Sequence, residues 1–168
     1  PYAVSKLAAE NYCSVFWRLY QVPTISLRLS NVYGPFQNPD NPYSGVIHKF
    51  IKLAQADKPV KIHGDGLQTR DFTFVDDVSR AIKKACLSNG NEGKIFNVGT
   101  GVESNIQHIV KTLEMIFKKD IKIDYAENRD IDNVRRRLMN IESIRMELNW
   151  IPRTLFKDGL IKTIEWYT

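Results

Sequence analysis

The sequence predicts an α/β fold with a largely parallel sheet. Short apolar, β-branched runs alternate with stretches of helical periodicity, and no internal repeat, linker or low-complexity tract breaks the alternation. Residues 2–20 read as a helix that ends before Pro23. "TISLRLS" (24–30) is short, apolar and β-branched, as a buried strand is. "NVYGPFQNPDNPYSG" (31–45) is dense in Asn, Pro and Gly and reads as a long loop, a common carrier of function. "VIHKFIKLAQA" (46–56) has apolar residues at helical spacing, and "VKIHG" (60–64) and "DFTFV" (71–75) read as strands around a polar turn. "DDVSRAIKKACL" (76–87) is a helix whose acidic first turn complements its dipole. "KIFNVG" (94–99) is a strand ending at Gly99 and Gly101, and 103–119 is an amphipathic helix. The strand "IKIDYA" (121–126) and helices around 141–148 and 155–167 complete the pattern.

A chain of 168 residues fits one domain with a sizeable core, and 43% hydrophobic with 26% charged residues is the balance of a globular protein. The net charge of +5 suits an acidic partner. Apart from "VRRR" (134–137), however, the basic residues are scattered, which argues for a solvated surface with one candidate anion site and against nucleic-acid binding. No apolar run reaches membrane-spanning length and no leader pattern opens the chain, so a membrane role is not expected. Cys13 and Cys86 match no disulfide or metal spacing, and the expectation is a reducing cytoplasm with no metal site.

Tyr2 and Lys6 form an i, i+4 pair at the start of the first predicted helix, and Pro1 suits a helix start. A tyrosine beside a fixed ammonium is an acid–base pair, because the positive charge favours the phenolate. A single such pair is equally at home on an ordinary amphipathic helix. Arg70 offers a planar fork of donors that matches phosphate oxygens, and its competing reading is a salt bridge to Asp71 or Asp76. Asn31 stands where strand gives way to loop, facing a ligand or capping its own turn.

Four segments in fixed order, "YAVSK", "LRLSNVYGP", "IHGDGLQTRDFTFVDDV" and "FNVGTG", together resemble the extended short-chain dehydrogenase/reductase superfamily, in particular its NAD-dependent nucleotide-sugar epimerases and dehydratases. "LNWIPRTLFKDGLIKTIEWY" looks like the closing helix of the same family, so the resemblance spans essentially the whole chain. The family's glycine-rich dinucleotide turn and its Ser or Thr upstream of the Tyr-x-x-x-Lys pair have no counterpart in these residues. The resemblance therefore implies a C-terminal half of such an enzyme. Residues 1–44 and 76–103 would complete a Rossmann-type doubly wound parallel sheet. Residues 45–75 and 104–168 would form mainly the smaller α/β nucleotide-sugar-binding domain. Such a half is expected to lack activity on its own and to self-associate through uncovered sheet surface.

The resemblance also implies roles. Tyr2 exchanges a proton with a sugar hydroxyl, and Lys6 helps it ionise and hydrogen-bonds the nicotinamide ribose. Leu29, which with Ser30 replaces an aromatic pair common in these enzymes, is read as a cofactor contact. Asn31 touches the substrate near its sugar or pyrophosphate, and Arg70 binds the diphosphate. His63 lies against the nucleobase, with Gly45 and Val46 as the opposite wall; a partly exposed strand position is the other reading of His63. Arg129 and Asp132 fit an Arg-x-x-Asp segment that reaches phosphate and ribose. The implied function is NAD-dependent 4-epimerisation, similar to that of UDP-glucose 4-epimerases. The alternatives are a nucleotide-sugar 4,6-dehydratase and a non-catalytic nucleotide-sugar-binding module. The implied partners are NAD, a UDP- or dTDP-hexose, and a second copy in a homodimeric parent.

Overall fold

The computed structural model describes residues 1–38, 41, 45–128 and 134–167. In chain order the elements are α1 (Tyr2–Tyr20), β1 (Ser26–Leu29), β2 (Asn31–Tyr33), α2 (Val46–Gln55), β3 (Val60–His63), β4 (Thr69–Arg70) and β5 (Phe72–Phe74). They continue as α3 (Val75–Cys86), β6 (Ile95–Val98), β7 (Ser104–Asn105), α4 (Ile106–Phe117), β8 (Ile123–Ala126), α5 (Glu142–Leu148) and α6 (Phe156–Tyr167). The α/β class holds, and among the described residues three of the four strand ladders are parallel: β1 with β6, β2 with β5, and β3 with β8. The fourth, β4 with β7, is antiparallel.

Three expectations change. Residues 31–33, expected to be loop, form β2, with Asn31 opposite Phe72 and Tyr33 opposite Phe74. The chain switches partners there: the Ser30 N–H donates to Val98 O (2.9 Å), and the next N–H, from Asn31, donates to Asp71 O (3.0 Å). That distant pairing outweighs the local turn signal of the Asn- and Gly-rich stretch. Second, the strand expected over 121–126 begins only at Ile123 as β8, where it pairs with β3. Third, Ser104 and Asn105 pair with Arg70 and Thr69 as β7, so α4 begins only at Ile106. Its N-cap Asn105 side chain accepts the His108 N–H at 2.7 Å.

Two apolar clusters hold the elements. In the larger, Ile47 and Ile51 of α2, Ile62 of β3, Ile109 and Leu113 of α4, and Leu160 of α6 are buried together with Phe74. In the smaller, Val78 and Ala81 of α3, Phe96 and Val98 of β6, and Ile144 and Leu148 of α5 surround Trp150. Trp150 is wholly buried and donates its indole N–H to Asp77 O at 3.0 Å. The Asp77 carboxylate in turn accepts the Arg153 and Thr154 N–H groups, anchoring the approach to α6.

Asp71 is 1% exposed. Its carboxylate accepts the Thr100 N–H (2.8 Å), the Thr100 hydroxyl (2.7 Å) and the Gly101 N–H (3.0 Å), with the Met139 N–H farther off at 3.4 Å. The approach is tight enough to require glycine next door. A Cβ at Gly99 would lie 2.6 Å from both Asp71 Oδ2 and Met139 Cβ. His48 is equally buried, at 1% exposure; its Nδ1 meets the Tyr167 hydroxyl at 2.7 Å, while its Nε2 has no partner among the described residues.

Replacing Asp71 by Ala should cost at least about 3 kcal/mol, because each buried N–H left without a partner costs about 1–3 kcal/mol. Asp71→Asn should recover only part, since its NH2 faces donors. Denaturant melts of the variants measure this, and a loss below about 1 kcal/mol would contradict the anchoring role assigned to Asp71.

A second expectation concerns acid. Burial pushes the His48 imidazole from its ordinary 6.5 down to about 4. Between those values the unfolded chain binds a proton that the folded chain refuses. Stability is therefore full above pH 6.5 and falls as the pH drops, by about 1.4 kcal/mol per unit, to a loss of about 3 kcal/mol at pH 4. Chemical melts from pH 7 to 4 should show this slope, and His48→Asn should flatten it. An unchanged slope in the variant would assign the acid sensitivity elsewhere.

Candidate functional site

The N–H groups at the start of a helix and the outward face of a strand are natural places for a polar ligand, and here they meet. The first turn of α2 (Gly45–His48), β2, β3 and β4 enclose a cavity of about 200 Å³. Five of the residues singled out from sequence, Asn31, Gly45, Val46, His63 and Arg70, line it together. They come from four separate stretches of chain, brought together by the β2–β5, β3–β8 and β4–β7 ladders.

Arg70 is half-buried at the wall, and its Nη1 donates to Thr69 O (2.7 Å) and Val134 O (3.0 Å). The alternative of a salt bridge to Asp71 does not describe this geometry. Successive strand residues point to opposite faces, so Arg70 turns to the cavity while Asp71 turns to its buried cluster. His63 is partly buried, with its Nδ1 3.0 Å from Glu127 O. A carbonyl only accepts, so Nδ1 carries the proton in the neutral ring and Nε2 is the acceptor. Gly45 caps α2 without a side-chain bond, leaving the helix's first N–H groups and the positive end of its dipole at the cavity wall. Among the described residues none that lines the cavity is acidic, whereas Lys61 and Arg70 are cationic. The cavity is therefore suited to an anion.

Sequence reasoning missed several of its residues. Lys61 shares the outward face of β3 with His63, two positions away, and strand alternation points to it. Gln68 also lines the cavity and donates its side-chain N–H to His63 O at 3.0 Å, fixing the β3–β4 turn beneath the histidine. Phe72 and Ile106 add apolar wall. In the sequence they stand out only as strand and helix positions.

Other sequence candidates lie elsewhere. Tyr2 and Lys6 share one face of α1 as their spacing requires, with Lys6 Nζ 5.5 Å from the Tyr2 ring centre. Tyr2 is 75% exposed, and neither residue lines the cavity. Leu29 is 46% exposed at the end of β1, also outside it. Arg129 and Asp132 fall outside the described residues. Of the arginine run, Arg135 forms a two-point pair with Asp65, and Arg136 with Glu103. These pairs hold both carboxyls below the usual carboxylate range. The run is thus exposed, as a solvated face is, with Arg135 and Arg136 paired. Among the described residues no cluster of three or more His, Cys, Asp or Glu could hold a metal, and no helix is long and apolar enough to cross a membrane.

Comparison with known proteins gives consistent relatives. A sequence model described as the NAD dependent epimerase/dehydratase family matches residues 1–99. A dTDP-D-glucose 4,6-dehydratase of Homo sapiens is 39% identical over 174 residues, covering 99% of this chain and 48% of that protein. A UDP-glucose 4-epimerase of Mycolicibacterium smegmatis is 35% identical over 167 residues, covering 99% and 52% respectively. The crystal structure of a UDP-glucose 4-epimerase from Thermotoga maritima with UDP-glucose overlays with a TM-score of 0.93 at 32% identity, covering 99% of this chain and 53% of that one. The chain spans about half the length of these two curated relatives.

Proposed function

The chain belongs to the NAD dependent epimerase/dehydratase family, and from that premise we propose that its cavity binds the diphosphate and base of a nucleotide sugar. On this reading, the protein of which these residues are part is an NAD-dependent nucleotide-sugar 4-epimerase. The carrying observation is the gathering of Asn31, Gly45, Val46, His63 and Arg70 around one cavity at a helix N-terminus, with Lys61 and Arg70 as its cationic lining residues. Arg70 anchors the diphosphate, His63 and Val46 flank the base, and Asn31 orients the sugar end. The expected division of the chain accompanies this reading, with the refinement that α5 and Trp150 share the apolar cluster of α3 and β6.

Of the chemistry, these residues carry a part. Tyr2 and Lys6 lie side by side on an open helix face, as a pair that meets both a cofactor ribose and a sugar hydroxyl requires. Tyr2, Lys6 and Leu29 would hold the nicotinamide end of NAD, which supplies reversible hydride acceptance at sugar C4. The Tyr2 hydroxyl takes the proton from the C4 hydroxyl as the carbon becomes a ketone, and returns it when the alcohol re-forms. Lys6, one helical turn on from that tyrosine, would donate to the nicotinamide ribose. The cavity residues hold the nucleotide while the sugar turns over between these two proton transfers.

A second reading, 4,6-dehydration of a nucleotide-linked glucose, is favoured by the 39% identity to a dTDP-D-glucose 4,6-dehydratase against 35% to the epimerase. Both begin with oxidation at C4. Incubating the intact protein with UDP-glucose and with dTDP-glucose separates them, because epimerisation yields the galactose isomer and dehydration a 4-keto-6-deoxy sugar.

Two outcomes test the proposal. The 168 residues alone, which contain no glycine-rich dinucleotide turn, should not interconvert UDP-glucose and UDP-galactose in the presence of NAD. Turnover that follows the protein through purification would overturn this. In the intact protein, Arg70→Ala should weaken UDP binding by about 1.5–3 kcal/mol, the range for hydrogen bonds to charged groups. Arg70→Lys should restore part of it, because a point charge lacks the two-point fork. Calorimetry showing equal UDP affinity in Arg70→Ala would remove Arg70 from the site.

A further inference from the structure

Tyr167, near the end of α6, is absent from the cavity lining, yet its hydroxyl reaches the element that shapes the cavity most. The first turn of α2 supplies four consecutive lining residues, Gly45 to His48. His48 lies buried in that turn with its Nδ1 2.7 Å from the Tyr167 hydroxyl, and the same hydroxyl lies 2.5 Å from Gln37 O. The proton order follows from chemistry. A carbonyl cannot donate, so the single phenolic hydrogen goes to Gln37 O. The hydroxyl must then accept from His48, which fixes the Nδ1–H tautomer. His48 Nε2 is left as a buried acceptor without a partner among the described residues. Such an orphan is costly, and a leucine would have filled the space without it. Donation from Nδ1 is what the imidazole contributes here. Aromatic contacts reinforce the arrangement: Phe36 packs on Trp166 with ring centres 5.2 Å apart, and Tyr33 donates to Phe156 O at the other end of α6.

We propose that Tyr167, through His48 and Gln37, is a positioning residue for the nucleotide-sugar site: its hydroxyl clasps the first turn of α2 to α6 and so sets the wall against which the nucleotide lies. The inference rests on the reading of the cavity given above. Without the clasp the helix keeps its apolar contacts but loses its lateral register, and a small misplacement of the helix-end N–H groups weakens the hold on the ligand.

The test is a double-substitution cycle in the intact protein, with UDP as the binding probe and UDP-glucose turnover as the second readout. Tyr167→Phe and His48→Leu should each weaken UDP binding and raise KM by about fivefold, the scale of one hydrogen bond, while kcat stays within about twofold. The double variant should be no worse than either single one, because both remove the same link. His48→Asn, which keeps a donor near the Nδ1 position, should recover most of the affinity. A merely structural role would lower the melting temperature of the single variants and leave their UDP affinity unchanged, which would overturn the clasp. So would fully additive losses. Failure of the unsubstituted protein to bind UDP would instead remove the cavity reading, and the clasp with it.

Discussion

The architecture around the cavity depends on one buried carboxylate. Asp71 joins four pieces of chain that lie far apart in sequence: its backbone carbonyl receives the Asn31 N–H of β2, and its side chain gathers Thr100 and Gly101 after β6 together with Met139. A buried charge is tolerated only when hydrogen-bond donors surround it, and here the donors are mostly backbone groups in the turn after β6 and at Met139. The point at which the strand changes partners, between Ser30 and Asn31, is thereby pinned from the side. Asn31, at the cavity, owes its place to that switch.

Asp71 and Arg70 are neighbours with opposite duties, and strand alternation allows it. The carboxylate is turned inward and neutralised by N–H and hydroxyl groups, so it does not consume the guanidinium beside it. Arg70 is steadied instead by carbonyls of Thr69 and Val134. Outside the cavity lining, Asp65 and Glu103 are matched to Arg135 and Arg136.

Much of this was legible in the sequence because it is local. The apolar periods of α1, α2, α3 and α4 and the β-branched run of β1 reported themselves, and Arg70, His63, Gly45, Val46 and Asn31 were singled out from motifs that the fold then gathers around one cavity. What was not legible depends on distant partners. β2 and β7 are strands only because Phe72–Phe74 and Thr69–Arg70 pair with them, and their own residues read as turn and helix. Asp71 looked like a partner for Arg70, since nothing nearby in sequence announces Thr100 or Met139. His48 looked like one more position on a helix, because the tyrosine that explains it stands 119 residues later.

The helix that carries Tyr2 and Lys6 buries none of its residues, although Leu7, Phe16 and Leu19 are among its apolar side chains. What holds it is sparse: the two-point pair of Glu10 with Arg28, the Thr24 hydroxyl on Cys13 O, and Trp17 lying over the Gly93 turn, where a Cβ would strike the indole. Resistance to local opening comes from buried apolar contact. The amides of α1 are therefore expected to be less protected from hydrogen exchange than those of α2 and α4, which frame the larger apolar cluster. Any surface that covered α1 would raise its protection and set the angle of Tyr2 at the same time, coupling the rigidity of the Tyr2–Lys6 pair to the contact rather than to the helix itself.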